Sequence, residues 1–145
     1  MYGDVKMVAA RTGSESLTLR AEVEGLLQEL MADPSADENR LLLLADRLDA
    51  AAGGAGDKWG RISAERGRAM VFLDHCRWMD NLAALERAKA LMEPDEDPRL
   101  WREVNAFIWN ALVYGPVPAP EAIARIEAEV RESSSLLCSW RCRAA

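Results

Sequence analysis

The residues with the widest chemical range in this chain are one histidine and three cysteines. His75 and Cys76 are adjacent within a stretch patterned as helix. Neighbouring helix positions diverge by roughly 100° about the axis, whereas a nucleophile and its base must converge. The sequence therefore predicts a half-buried polar His75 near a hairpin turn and an inward Cys76. Cys138 and Cys142 stand four apart on one helix face and, with His75 and Cys76, would complete a four-ligand zinc set. Their spacing is unusual for zinc thiolates, and nothing in the sequence sets these helices side by side, so buried free thiols are expected. The acidic run Glu93, Asp95, Glu96 and Asp97 lacks the ligand–glycine–glutamate order of a calcium loop. The glycines Gly53–Gly56 have no following Lys-Ser/Thr and no strand before them, so they are not a phosphate loop. No catalytic residue, metal or cofactor is expected, and the chain reads as non-enzymatic.

Length and charge bound what remains. The 145 residues suffice for one domain with a sizeable core, half are apolar, and the net charge is −6. Nucleic-acid affinity comes mainly from cationic side chains, so a nucleic-acid partner is not expected. The longest apolar run, around Leu41–Leu44, is far short of a bilayer span, and no signal-peptide pattern opens the chain. Three late cysteines do not make a disulfide framework, which points to a reducing cytoplasm.

The elements are read from apolar spacing and stop signals. After an irregular segment over residues 1–16, Leu19, Val23, Leu26, Leu27 and Leu30 fall at helical spacing along one face, and Pro34 ends that helix. Ser35 and Glu38 have capping-box spacing for a second helix, with Leu41, Leu44, Ala45, Leu48 and Ala52 inward. Glycines close it and Asp57 caps the third, which extends to about Arg77 with Trp59, Ile62, Ala69, Phe72 and Leu73 inward. There Gly67 would admit a close neighbour. Asp80 is expected to cap a fourth helix with Leu82, Leu85, Ala88 and Met92 inward. Asp97–Pro98 is an N-cap followed by a first-turn proline, opening a fifth helix with Leu100, Val104, Ile108 and Ala111 inward. Gly115, Pro116, Pro118 and Pro120 form a rigid turn into a sixth, carrying Ile123, Ile126 and Val130 inward and Glu121–Arg125 and Glu127–Arg131 ion pairs outward. A seventh helix is expected from about Ser134.

Odd-numbered helices thus begin near residues 17, 58, 98 and 134, a period of roughly forty residues that marks a helical solenoid. The expected fold is all-α: tandem antiparallel hairpins over 17–52, 58–93 and 98–132, plus an unpaired last helix at 134–145. A single compact bundle is the rival arrangement.

Two segments, "RGRAMVFLDHCRWMDNLAALERAKALME" and "DPRLWREVNAFIWNALVYGPVPAPEAIARIEAEV", carry a family likeness. They resemble the degenerate tetratricopeptide-type repeats of large bacterial signalling proteins, including adenylate/guanylate cyclase–ATPase proteins and ATP-binding transcriptional activators. Ala69, Phe72, Trp78, Leu85 and Ala88 match the repeat's small, aromatic and large positions. Arg68 and Asn81 depart from it, and the period exceeds the usual thirty-four. The resemblance implies a right-handed superhelix that binds a protein partner or a neighbouring domain of the same polypeptide and does no chemistry itself. It also implies a fragment of a longer regulator, an expectation in line with the uncovered apolar face Leu136, Leu137 and Trp140. In such a repeat the first helices line a groove, for which Arg61, Glu65, Arg68, Asn105 and Trp109 are the candidate contact residues. The alternative is a stand-alone bundle holding a small ligand in its core through tryptophan and His75.

Overall fold

The computed structural model describes residues 15–33 and 35–143, with side chains described as far as Arg131. The described residues form six helices and no strand: α1 (Glu15–Ala32), α2 (Glu38–Ala55), α3 (Lys58–Asp74), α4 (Trp78–Lys89), α5 (Pro98–Tyr114) and α6 (Ala119–Arg143). None is long and apolar enough to cross a membrane. Residues 1–14, Pro34 and the side chains of Leu136, Leu137, Cys138, Trp140 and Cys142 lie outside the described set, and with them the expectations placed there.

The apolar stripes of the first five helices go where their spacing directs them. Leu19, Val23, Leu26, Leu27 and Leu30 of α1 pack with Leu41, Leu44, Ala45, Leu48 and Ala52 of α2, and with Ala64 and Val71 of α3, in a first core. A second core joins Ile62 and Ala69 of α3 to Leu82, Leu85 and Ala88 of α4 and Val104, Ile108, Ala111 and Leu112 of α5. Each fully buried aliphatic side chain here contributes about 1.5–3 kcal/mol. The helix α3 has an apolar side in each core, which makes it the keel of the molecule.

Side-chain pairs fix the directions. Ser16 at the start of α1 donates to Asp57 just past the end of α2, so α1 and α2 are antiparallel. Glu38 meets His75, so α2 and α3 are antiparallel too. Asn81 donates to the Ala69 carbonyl at 2.7 Å, turning α4 back along α3. Trp109 donates to Glu129, turning α6 back along α5. Each helix therefore neighbours the next, and α1 also packs directly on α3.

Two of the turns share one device. The Asp57 amide donates to the Ala52 carbonyl and the Gly56 amide to Gly53, with Gly56 at φ 68°. The Arg77 amide likewise donates to Phe72 and the Cys76 amide to Leu73, with Cys76 at φ 54°. Both are Schellman closures around a left-handed residue. At the second, Arg77 lies over the Phe72 ring, 4.6 Å from its centroid, in the place usually taken by an apolar contact. The expected caps Asp57 and Asp97 are present: Asp57 accepts from the Gly60 amide, and Asp97 accepts from the Leu100 amide with Pro98 next in line. The Gly115–Pro118 segment is a tight turn in which the Pro118 carbonyl accepts from Glu121 and Ala122 to open α6.

Several local expectations give way. The α2 cap is Asp37, which accepts from the Arg40 amide, rather than Ser35. Helix α4 begins two residues before Asp80, which instead binds Arg77 at 2.7 Å. Helix α3 ends at Asp74, so His75 is at the turn as expected but exposed rather than half-buried, and Cys76 is exposed rather than inward. The intimate glycine is Gly60: a Cβ there would lie 2.8 Å from the Ala52 Cβ, whereas one at Gly67 meets ordinary contacts at 3.4 Å. Backbone helix continues from Ala119 to Arg143 across the expected start of a seventh helix. Among the described side chains of α6, Ala122 is the buried residue, while Ile123 and Val130 are exposed because the helix is rotated to set Glu129 on Trp109. Arg125 reaches Glu86 of α4.

Candidate functional site

The parallel helices α1, α3 and α5 border a groove. Between α3 and α5 no Cα pair comes within 8 Å, and the space left has a volume of about 630 Å³. Its walls carry Arg20, Glu24 and Gln28 from α1, Trp59, Ser63 and Arg66 from α3, and Leu100, Glu103 and Phe107 from α5.

Charges at the floor hold the three helices together. Arg66 gives Nη1 to Glu24 Oε1 at 2.8 Å and Nη2 to Glu103 Oε1 at 2.6 Å. Ser63 adds a 2.6 Å bond from its hydroxyl to the same Glu24 oxygen. Burial alone would push the Arg66 guanidinium down, but the Glu24 and Glu103 carboxylates outweigh it and hold the group above its ordinary value. The cation is therefore permanent, and its planar fork matches two carboxylates on opposite sides. At the N-terminal end Trp59 carries Lys58 at 5.5 Å and Arg20 at 6.0 Å from its centroid. Lys58 also binds Glu96, just ahead of α5.

A smaller cavity of about 20 Å³ shares Gln28, Met31, Arg66, Glu103 and Phe107 with the groove. Its other walls are mostly apolar, among them Met70, Leu73 and Leu85, with Asn81 the further polar residue. Asn81 is 2% exposed. Its Nδ2 is spent on the Ala69 carbonyl, and its Oδ1 is buried with no donor.

The five residues read from sequence as groove contacts sit elsewhere. Arg68 binds Asp46 at 2.8 Å, Asp49 at 3.3 Å and Glu65 at 2.9 Å. Glu65 also takes Arg87 of α4 at 2.8 Å, and Arg61 approaches Asp49 at 3.5 Å. These three therefore tie α3 to α2 and α4. Trp109 donates to Glu129 at 2.9 Å, and Lys89 binds Glu129 at 3.2 Å while standing over Trp101 at 5.2 Å. Asn105 is buried with Oδ1 unpartnered. None of the five lines the cavities. Their near neighbours do, one or two positions away: Ile62, Arg66 and Ala69 on α3, and Glu103, Val104 and Phe107 on α5; the one sequence signal is the pair of polar residues Ser63 and Arg66 on an otherwise apolar α3 face. No group of three or more His, Cys, Asp or Glu among the described residues is placed to hold a metal ion. Compared with protein-family models, curated proteins and solved structures, the chain has no match.

Proposed function

We propose that this chain is a non-catalytic, tetratricopeptide-like helical-repeat module whose α1/α3/α5 groove docks a segment of a partner protein or of a neighbouring domain. The hairpins stack as a right-handed α-solenoid in a cytoplasmic regulatory protein, and the stack presents its first helices as a rigid receptor. The observation that carries the reading is the groove of about 630 Å³ along three parallel helices, walled by Trp59, Leu100 and Phe107 and floored by paired charges. Aromatic and arginine anchors of this kind dominate the energetics of protein recognition. Support also comes from the parallel setting of α1, α3 and α5, since a stack of antiparallel hairpins brings alternate helices to one side.

Unbiased display of random peptides on the purified chain tests the reading. Selected peptides are expected to lose binding to Gln28→Trp, an exposed α1 residue on the groove wall, and to keep it in Leu43→Ser on the exposed face of α2. Peptides indifferent to Gln28→Trp would refute the groove as the receptor.

A further inference from the structure

Resting on that docking reading, we infer that the groove takes an acidic peptide segment, a carboxylate side chain of which is received by Arg20 and Arg99. One arrangement, repeated on the two outer helices, leads there. Helix α1 carries Arg20 and Glu24 four positions apart, and α5 carries Arg99 and Glu103 at the same spacing, all on the groove wall. Opposite charges at that spacing ordinarily pair along their own helix. Here both carboxylates turn instead to Arg66 of α3, at 2.8 and 2.6 Å. Among the described residues Arg20 and Arg99 are thus left with no ion pair: Arg20 has the Trp59 ring, and Arg99 bonds through its backbone amide. Asp97, the remaining acid of the wall, balances the formal charge but is spent on the Arg99 and Leu100 amides. The uncommitted groups of the groove wall are therefore guanidinium donors, and their natural complement is a carboxylate.

The setting of each arginine adds to this preference. Arg99 stands in the first turn of α5, which holds no acidic residue, and the positive end of a helix disfavours a cation there. An arriving carboxylate relieves that repulsion. Arg20 is half-buried beside Trp59, 6.0 Å from its centroid, so less side-chain freedom is lost on binding. Trp59 and Leu100 adjoin the two arginines, and Phe107 lies further along, so aliphatic residues flanking the acid find apolar walls. A lysine in the segment would meet two cations, and a glutamine would keep the shape without the charge. The chain's net charge of −6 gives acidic segments no long-range pull; the selectivity resides in the bonded contact.

The test uses three alanine/leucine-rich peptides with blocked ends that differ only at a central glutamate, glutamine or lysine, titrated into the full chain by calorimetry. The glutamate peptide is expected to bind about fivefold or more tightly than the glutamine peptide, and the lysine peptide most weakly. Arg20→Gln and Arg99→Gln are each expected to remove part of that advantage and the double variant all of it, with affinity for the glutamine peptide kept, which a misfolded chain would not show. Arg40→Gln makes the same charge change at an exposed position of α2 and is expected to leave the advantage intact. Equal binding of the three peptides by the wild-type chain, or an Arg40→Gln loss as large as that of the double variant, overturns the acidic-segment site. If peptides from the unbiased display still depend on Gln28, the docking reading survives that result; if none does, both fall.

Discussion

Arg66 of α3 and Glu103 of α5 meet at 2.6 Å across a gap in which no Cα pair of the two helices comes within 8 Å. The same guanidinium holds Glu24 of α1 at 2.8 Å, so one side chain spans three helices. Removing it by Arg66→Ala strands the Glu24 carboxylate, whose side chain is only 11% exposed. Breaking a buried pair from one side costs about 3–5 kcal/mol. Glu103→Ala should cost less, about 1 kcal/mol or below, because Glu103 is partly solvated. Urea unfolding of both variants measures the difference, and equal losses would show that the triad is not shared in this way.

Gly60 and Gly25 should respond in opposite senses to alanine. At Gly60 the new Cβ would lie 2.8 Å from both the Ala52 Cβ and Asp57 Oδ2, pushing α3 off α2 and disturbing its cap. At Gly25, inside α1, it would meet nothing within 4 Å. Helix propensity alone favours alanine by about 1 kcal/mol at either site. Gly25→Ala is therefore expected to raise the melting temperature by several degrees, while Gly60→Ala lowers it. A gain at both positions would mean that the α2–α3 approach relaxes freely.

Cys76 occupies the left-handed position of the α3–α4 turn at φ 54°, where an L side chain is strained. Cys76→Gly should stabilise the chain by about 1 kcal/mol, and Cys76→Val should destabilise it. Since Cys76 is exposed and free, Cys76→Ser separates the loss of the thiol from the backbone effect and is expected to be near neutral.

Helix existence, the inward stripes of α1 to α5 and the caps Asp57 and Asp97 were legible because each depends on spacing within a few residues. What depends on the rotation of a helix about its own axis was not. Ile123 and Val130 read as inward, yet the α6 surface turned towards α5 is set by Glu129 meeting Trp109, a pairing twenty positions apart. In the same way Glu65, Arg66 and Arg68 are near neighbours in sequence but serve opposite sides of α3: Arg66 joins α1 to α5, while Glu65 and Arg68 join α2 to α4. Their partners lie roughly twenty to forty residues away, beyond the reach of any local pattern, so the arginine that floors the groove was not distinguishable from the one that does not. The left-handed Cys76 was hidden for a related reason. Glycine ordinarily announces that turn, and here the backbone closure and the Arg77–Phe72 contact enforce it without one.

Glu96 gives a pH dependence with a definite sign. Its side-chain hydrogen bond from Lys58, joined by the Glu93 amide and the Lys58 charge, holds the carboxyl below its ordinary value of 4.5. A carboxyl depressed in the folded state binds fewer protons there than in the unfolded chain, so its contribution is complete above about pH 4.5 and disappears as pH falls through the lower folded value. Lys58→Met should return the Glu96 midpoint in a carboxyl NMR titration towards 4.5. It should also narrow the gap between wild type and variant in denaturant midpoints measured at pH 3 relative to pH 7. Because Lys58 opens α3 and Glu96 precedes α5, the pair closes the N-terminal end of the groove. Acidification is therefore expected to loosen that end ahead of the arginine-held floor, seen as earlier amide-exchange gains at Lys58–Gly60 than at Arg66. Simultaneous gains at both places would show that the end and the floor of the groove open as one unit.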